Sequence, residues 1–371
     1  MKVKKRCAKS KIKNLSNILS FLHNSTTKVC YVGRVIESKN NLKGPYVCHY
    51  YIFHQLQKKV ESLSTVDFFS KKKKNLLSLI ECETIWMMYP QGRSISFIVL
   101  LVTFLFRKKL ILHVFDLPVE QADDIRTKKM PVHQKIQFKL LERLLFSQAS
   151  DTIVSSPGFI DYMSKNMSNK VVFPPGVCEE DIQGFNPVSS KGNGSNKLAY
   201  AGSLDRGGMI EKISLMFNSV DNWEFLIAGS GDEHIYHNKN VKYYGVLSYL
   251  DVQTLYTEAD AIILPYSSDA YYQICLPLKL GEILASCKPI IMLRLLSSEC
   301  YLKKIGLLGN VIFVDGWDEK KLKDALNLVK FIKIDIDECH EKLQNIVWDK
   351  RAFELITFIL EDHDEFELKW I

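Results

Sequence analysis

Lys279 and Glu282 are the residues whose types and spacing bear most directly on chemistry. Three positions apart on a helix opened by Pro277, an ammonium and a carboxylate fall on one face. Proline presets the first helical turn, so the N–H groups of Leu278 and Lys279 can face an anion, with Lys279 adding a point charge. The surrounding stretch, 241–291, reads as a strand, a glycine turn at Gly245, a helix, a buried strand at 261–265, a polar loop containing Asp269, and then this helix. That order puts a helix N-terminus and one carboxylate at the carboxyl edge of a parallel sheet, where open α/β sheets hold nucleotides. A phosphorylated ligand is the expectation.

The elements that must position this pair extend over the whole chain. Strands are expected at 28–35, 84–89, 109–115, 152–155 and 170–173, with a helix over 46–60 and an apolar helix at 97–106 buried between two strands. In 134–146, Ile136, Leu140, Leu141, Leu144 and Leu145 form one helical stripe, read as core. Residues 186–197 (NPVSSKGNGSNK) make a Pro/Gly/Ser/Asn-rich linker. A second alternating unit follows, with strands at 198–201, 224–228, 241–244, 261–264, 289–292 and 311–314. The division is therefore a basic extension at 1–27, a first Rossmann-like domain at 28–188, a second at 189–345, and a helical tail at 346–371 that can pack back on the first domain.

Bulk properties narrow the setting. A chain of 371 residues, 47% hydrophobic, is long enough for two cored domains. Nine cysteines without a CxxC pair fit reduced thiols and a cytoplasmic location. The net charge of +7 hides an asymmetry: residues 1–74 hold seventeen Lys or Arg against three acids, and seven of those bases lie in residues 2–13. Such an arm suits an anionic membrane surface, at about 1 kcal/mol per basic residue near the leaflet. No aromatic-basic module accompanies it, so nucleic acid is not expected. The longest apolar run, Phe97 to Phe106, has ten residues, whereas a membrane-spanning helix needs roughly 20.

Four ordered segments, YAGSLDRGG (200–208), EFLIAGSGDE (224–233), NVKYYG with EADAIILPY (240–266) and LPLKLGEILASCKPII (276–291), together resemble the retaining glycosyltransferases of family 4. LHVFDLP (112–118) and TIVSSPGF (152–159) resemble the family's first domain more loosely. The resemblance implies an α/β protein of the GT-B fold, two doubly wound Rossmann-like domains facing across a cleft. It implies transfer of a sugar, with retention, from a nucleotide-diphosphate donor to a glycan or polyprenyl-linked acceptor, as in surface polysaccharide assembly, with no cofactor beyond that co-substrate and no metal.

On that resemblance Glu282 accepts hydrogen bonds from the ribose diol. Pro277, Leu278 and Lys279 face the diphosphate together with Arg206 or, one helical turn on, Lys212. His113 and Asp116 stand beside the sugar, orienting a hydroxyl or managing the acceptor proton. Many members carry a second glutamate eight positions before the ribose-binding one. Here that position is Ile274, with Asp269 or the N–H groups of 271–276 as substitutes. His234 and His237, beside Asp232 and Glu233, have ligand-like spacing but sit in a polar loop and are not read as a metal site. A nucleotide-sugar epimerase of the same fold and a non-catalytic partner subunit are the alternative readings.

Overall fold

The computed structural model describes residues 25–38, 46–67, 76–124, 130–163, 169–185, 195–204, 209–231, 239–361 and 369–370. Arg206, the basic segment 2–13 and the 232–237 cluster lie outside the described residues. Among the described residues there are thirteen strands: β1 (Ser25–Val32), β2 (Val60–Val66), β3 (Thr84–Tyr89), β4 (Lys109–Val114), β5 (Asp151–Val154), β6 (Asn169–Val172), β7 (Asn196–Ala201), β8 (Trp223–Ala228), β9 (Val241–Tyr243), β10 (Ala261–Leu264), β11 (Ile290–Leu293), β12 (Val311–Val314) and β13 (Lys369–Trp370). They form two sheets, ordered β13-β6-β5-β4-β3-β1-β2 and β12-β11-β10-β7-β8-β9, with every described ladder parallel.

Parallel strands covered on both faces read as unbroken apolar runs. This is why AIIL of β10, IIML of β11 and TIWMMY of β3 are buried along their whole length. The second sheet has the Rossmann order, and its direction of winding reverses between β7 and β10. The first reverses between β1 and β3. In each, a crevice opens at the carboxyl ends of the two strands flanking the reversal.

The chain then returns to where it began. Val177 N–H donates to Ile346 O and Trp348 N–H donates to Val177 O, each at 3.0 Å. These bonds aim the Trp348–Leu360 helix at the Tyr46–Lys59 helix, on which it packs. Trp348 stacks on Tyr51 with ring centroids 6.2 Å apart, and Gln55 Nε2 donates to Asp349 Oδ1 at 2.8 Å. Beneath the two helices lies a core containing Val29, Tyr31, Trp86, Phe173 and Leu355.

The opposite face of the first sheet departs from the sequence expectation. The Arg93–Phe106 helix buries Ser96, Val99, Leu100, Val102 and Thr103, but Phe97, Leu101, Phe104, Leu105 and Phe106 are exposed. In the Val132–Gln148 helix, Leu145 is buried and Leu141 half-buried, while Ile136, Leu140 and Leu144 of the expected core stripe face outward. The reason is geometric. A helix laid on a sheet buries only the stripe facing the strands, and these two helices are apolar beyond that stripe.

Candidate functional site

The Lys279–Ala285 helix sits between the second sheet and the first-domain segment around Gly176 that follows β6. Leu280, Ile283 and Leu284 are buried against the core. Gly281 lies so close to that segment that a Cβ there would stand 2.5 Å from Gly176 O. The helix is therefore fixed on its apolar side, leaving Lys279 and Glu282 on the other. The ammonium donates to Glu282 Oε1 at 3.2 Å and Oε2 at 3.1 Å, and both side chains are about one-quarter exposed, at 25% and 23%. Leu280 N–H donates to Pro277 O at 3.0 Å, so the turn starts at the proline, and no side chain caps the N-terminus at Leu278.

Behind this pair is a carboxyl that sequence reading does not single out. Asp181, on the short Glu179–Gly184 helix, is buried, and its Oδ1 has no hydrogen-bond partner. Burial, then the charges of Glu282 and Glu180, push its pKa up to about 7, against the pull of Gln253 and Lys279. Because the folded pKa lies above the unfolded one, Asp181 binds more protons when folded, and its charge opposes folding increasingly as pH rises from about 4 to about 7. Asp181→Asn is accordingly expected to raise the melting temperature more at pH 8 than at pH 5. An equal effect at both would exclude the buried charge as its cause.

The loop between β10 and the Lys279–Ala285 helix crosses to the first domain. The Tyr271 hydroxyl donates to Asp116 Oδ1, whose other oxygen accepts from Gln121 Nε2 at 3.1 Å. Ser156 Oγ donates to Ile274 O, and Ser297 Oγ donates to the same carbonyl at 3.1 Å. Tyr271 and Ile274 follow β10 while Asp116 and Ser156 follow β4 and β5, so the carboxyl edges of the two sheets face each other. The reversal points of both sheets open toward that junction.

His113 occupies the fifth position of β4 and is only 2% exposed. Its ring stacks on Phe115 at 4.6 Å between centroids, with Phe173 and Trp86 at 5.8 and 6.4 Å. Burial, then the charge of His49, lowers its pKa to about 3, so the imidazole is neutral at ordinary pH, and its Nδ1 has no partner. His49 is likewise held down to about 4, mainly by burial, with Nδ1 2.8 Å from the Tyr31 hydroxyl.

No protein-family model matches the chain, and no curated protein sequence gives a significant match. Solved structures do match. A sucrose-phosphate synthase from Thermosynechococcus elongatus superposes with a TM-score of 0.64 at 13% identity, covering 90% of this chain and 98% of that one. The lipopolysaccharide outer core galactosyltransferase WaaB gives 0.59 at 12%, covering 90% and 99%. Anabaena HepE, solved in complex with UDP and glucose, gives 0.57 at 10%, covering 90% and 99%. The chain has the GT-B fold. A UDP-N-acetylglucosamine 2-epimerase shares that fold at lower similarity.

Within the GT-B framework the other residues singled out from sequence are more dispersed. Lys212 is exposed on the Met209–Met216 helix, and Asp269 is exposed at the start of the Ala270–Ile274 helix, where Ser267 Oγ donates to its Oδ2. Gly245 adopts a positive φ of 68° in open space and accepts the Gly229 N–H at 2.8 Å. Sequence reading missed Asp181, Ser156 and the hydroxyl of Tyr271, of which it named only the backbone. Glu179, Glu180 and Asp181 look like ordinary acids in the first turn of a helix, and only the burial of Asp181 distinguishes it.

Proposed function

We propose that this GT-B protein is a metal-independent glycosyltransferase that binds a nucleotide-diphosphate sugar at the Lys279–Glu282 pair and transfers the sugar with retention. The observation that carries this reading is the position of the pair. An ammonium and a carboxylate sit on a helix rooted between domains, beside the reversal point of a Rossmann-ordered sheet, facing another sheet's carboxyl edge.

On this reading Glu282 exchanges its bond to Lys279 for the two ribose hydroxyls, and Lys279 turns to the diphosphate with the uncapped N–H groups of Leu278 and Lys279. Charge developing on the diphosphate as the C1–O bond breaks is stabilised by these fixed donors. The acceptor oxygen bonds to C1 on the same face, and its proton passes to the departing diphosphate, so no protein nucleophile is required. Asp116, oriented by Tyr271 and Gln121, is placed to hold a sugar or acceptor hydroxyl. His113, neutral and enclosed by aromatic rings, orients rather than ionises. Contact of the two domains through Tyr271 and Ile274 limits water at the reacting bond. A glycan or polyprenyl-linked acceptor is the class proposed.

Calorimetric titration with UDP, GDP and ADP tests the donor site, and binding of at least one is expected. No binding by any of them would end this reading. Product analysis then separates the chemistries: a transferase consumes donor only with acceptor present, whereas an epimerase of the same fold alters the donor alone.

A further inference from the structure

We propose that the face of the first domain formed by the Arg93–Phe106 and Val132–Gln148 helices docks on an anionic lipid bilayer, independently of the donor-site reading. The two helices lie parallel on one side of the first sheet. Arg93 Nη1 donates to Gln137 Oε1 near their N-terminal ends, and Thr103 Oγ1 donates to Gln148 Oε1 at 3.0 Å near their C-terminal ends. Their outward stripes are therefore side by side. Phe97, Phe104, Ile136 and Leu140 are 55%, 67%, 63% and 58% exposed. Together with the adjoining residues from Leu76 to Ile80, this face carries twelve of the twenty-three exposed large apolar side chains among the described residues. Soluble surfaces seldom concentrate apolar groups in this way unless something covers them.

Charge identifies the covering surface. The two helices contain one acid, Glu142, which is buried and bonded to Lys139. Their bases are Arg93, Lys135, Arg143 and Lys139, the last paired with both Glu120 and Glu142, and Arg107 and Lys108 follow the first helix. Exposed acids adjoin the face only beside its 76–80 margin, at Glu81 and Glu83; on the two helices themselves apolar side chains are flanked by bases with no exposed acid, which matches the acyl and headgroup layers of an anionic leaflet. A second copy of the chain matches poorly, because a two-fold contact would set Arg143 and its neighbours against like charges. Neither helix is long and apolar enough to cross a membrane, so each would lie in the interface plane. Both helices begin at the carboxyl edge of their sheet, so docking brings one wall of the interdomain junction to the lipid surface.

Flotation of the full chain with vesicles of phosphatidylcholine, with and without phosphatidylglycerol, tests this. Wild type is expected to float with the anionic vesicles. The double variant Phe104→Ser/Ile136→Ser, altered at exposed positions, is expected to bind at least about tenfold more weakly at an unchanged melting temperature. Deleting residues 2–13 should leave the difference between wild type and double variant in place. Equal flotation of wild type and double variant would overturn the proposal, as would absence of vesicle binding by wild type. Self-association of wild type that the double substitution abolishes, without vesicle binding, would make a second copy the occupant and overturn it too.

Discussion

Glu282→Ala is expected to weaken nucleoside diphosphate binding by roughly ten- to a hundredfold, if the carboxylate holds the ribose diol as proposed. A hydrogen bond to a charged group contributes about 1.5–3 kcal/mol, and tenfold corresponds to about 1.4 kcal/mol. A second effect acts in the opposite sense. Removing the carboxylate frees Lys279 from a pair at 3.1 Å, making its full charge available to the diphosphate. That pair is partly exposed, and pairs of this kind are worth about 0–1 kcal/mol, so its loss cannot cancel the missing diol bonds. The variant should also cease to distinguish a nucleoside diphosphate from its 2′,3′-dideoxy analogue, which wild type binds more weakly. Calorimetry with both ligands measures the four affinities. An alanine variant that still prefers the diol would remove Glu282 from the ribose.

How much of this was legible in the chain depends on how far apart the interacting groups lie. Strands β3 and β12 were read to the residue and β10 to within one, because a buried parallel strand is a short apolar run bounded by polar residues or proline. β2 was missed. Its VESLSTV sequence is an edge strand, buried fully only at Val60 and Val66, and reads as loop. The Lys279–Glu282 pair was legible because spacing on one helix is a local property. The bond from Tyr271 to Asp116 joins positions 155 residues apart, and that from Ser156 to Ile274 joins positions 118 apart, so no window of sequence contains either. Burial of the two apolar helices was misread for a related reason. Periodicity shows that a stripe is apolar, but the sheet decides which stripe it covers, and in Arg93–Phe106 there were more apolar stripes than sheet to cover them.

Gly229→Ala is expected to cost about 2–6 kcal/mol of stability, a large share of the roughly 5–15 kcal/mol typical of folded domains. Gly229 has φ of 146°, where side chains are rarely accommodated, and a Cβ there would stand 1.7 Å from Gly202 O. Neither atom can yield easily, because the loops after β7, β8 and β9 are tied together. Gly202 N–H donates to Ala228 O at 2.9 Å, Leu204 N–H to Ser230 O at 3.0 Å, and the Tyr243 hydroxyl to Gly229 O at 2.8 Å. Gly245→Ala is the control. Its φ of 68° also disfavours a side chain, but nothing lies within 4 Å of the added Cβ, so only the backbone cost of about 1–2 kcal/mol applies. Urea denaturation of both variants measures the difference, and equal losses would mean that the contact between loops contributes nothing. The same pair also probes the donor site. If the nucleotide fills the open space beside Gly245, Gly245→Ala remains folded yet binds nucleoside diphosphate more weakly, and unchanged affinity would place the nucleotide elsewhere along the carboxyl edge.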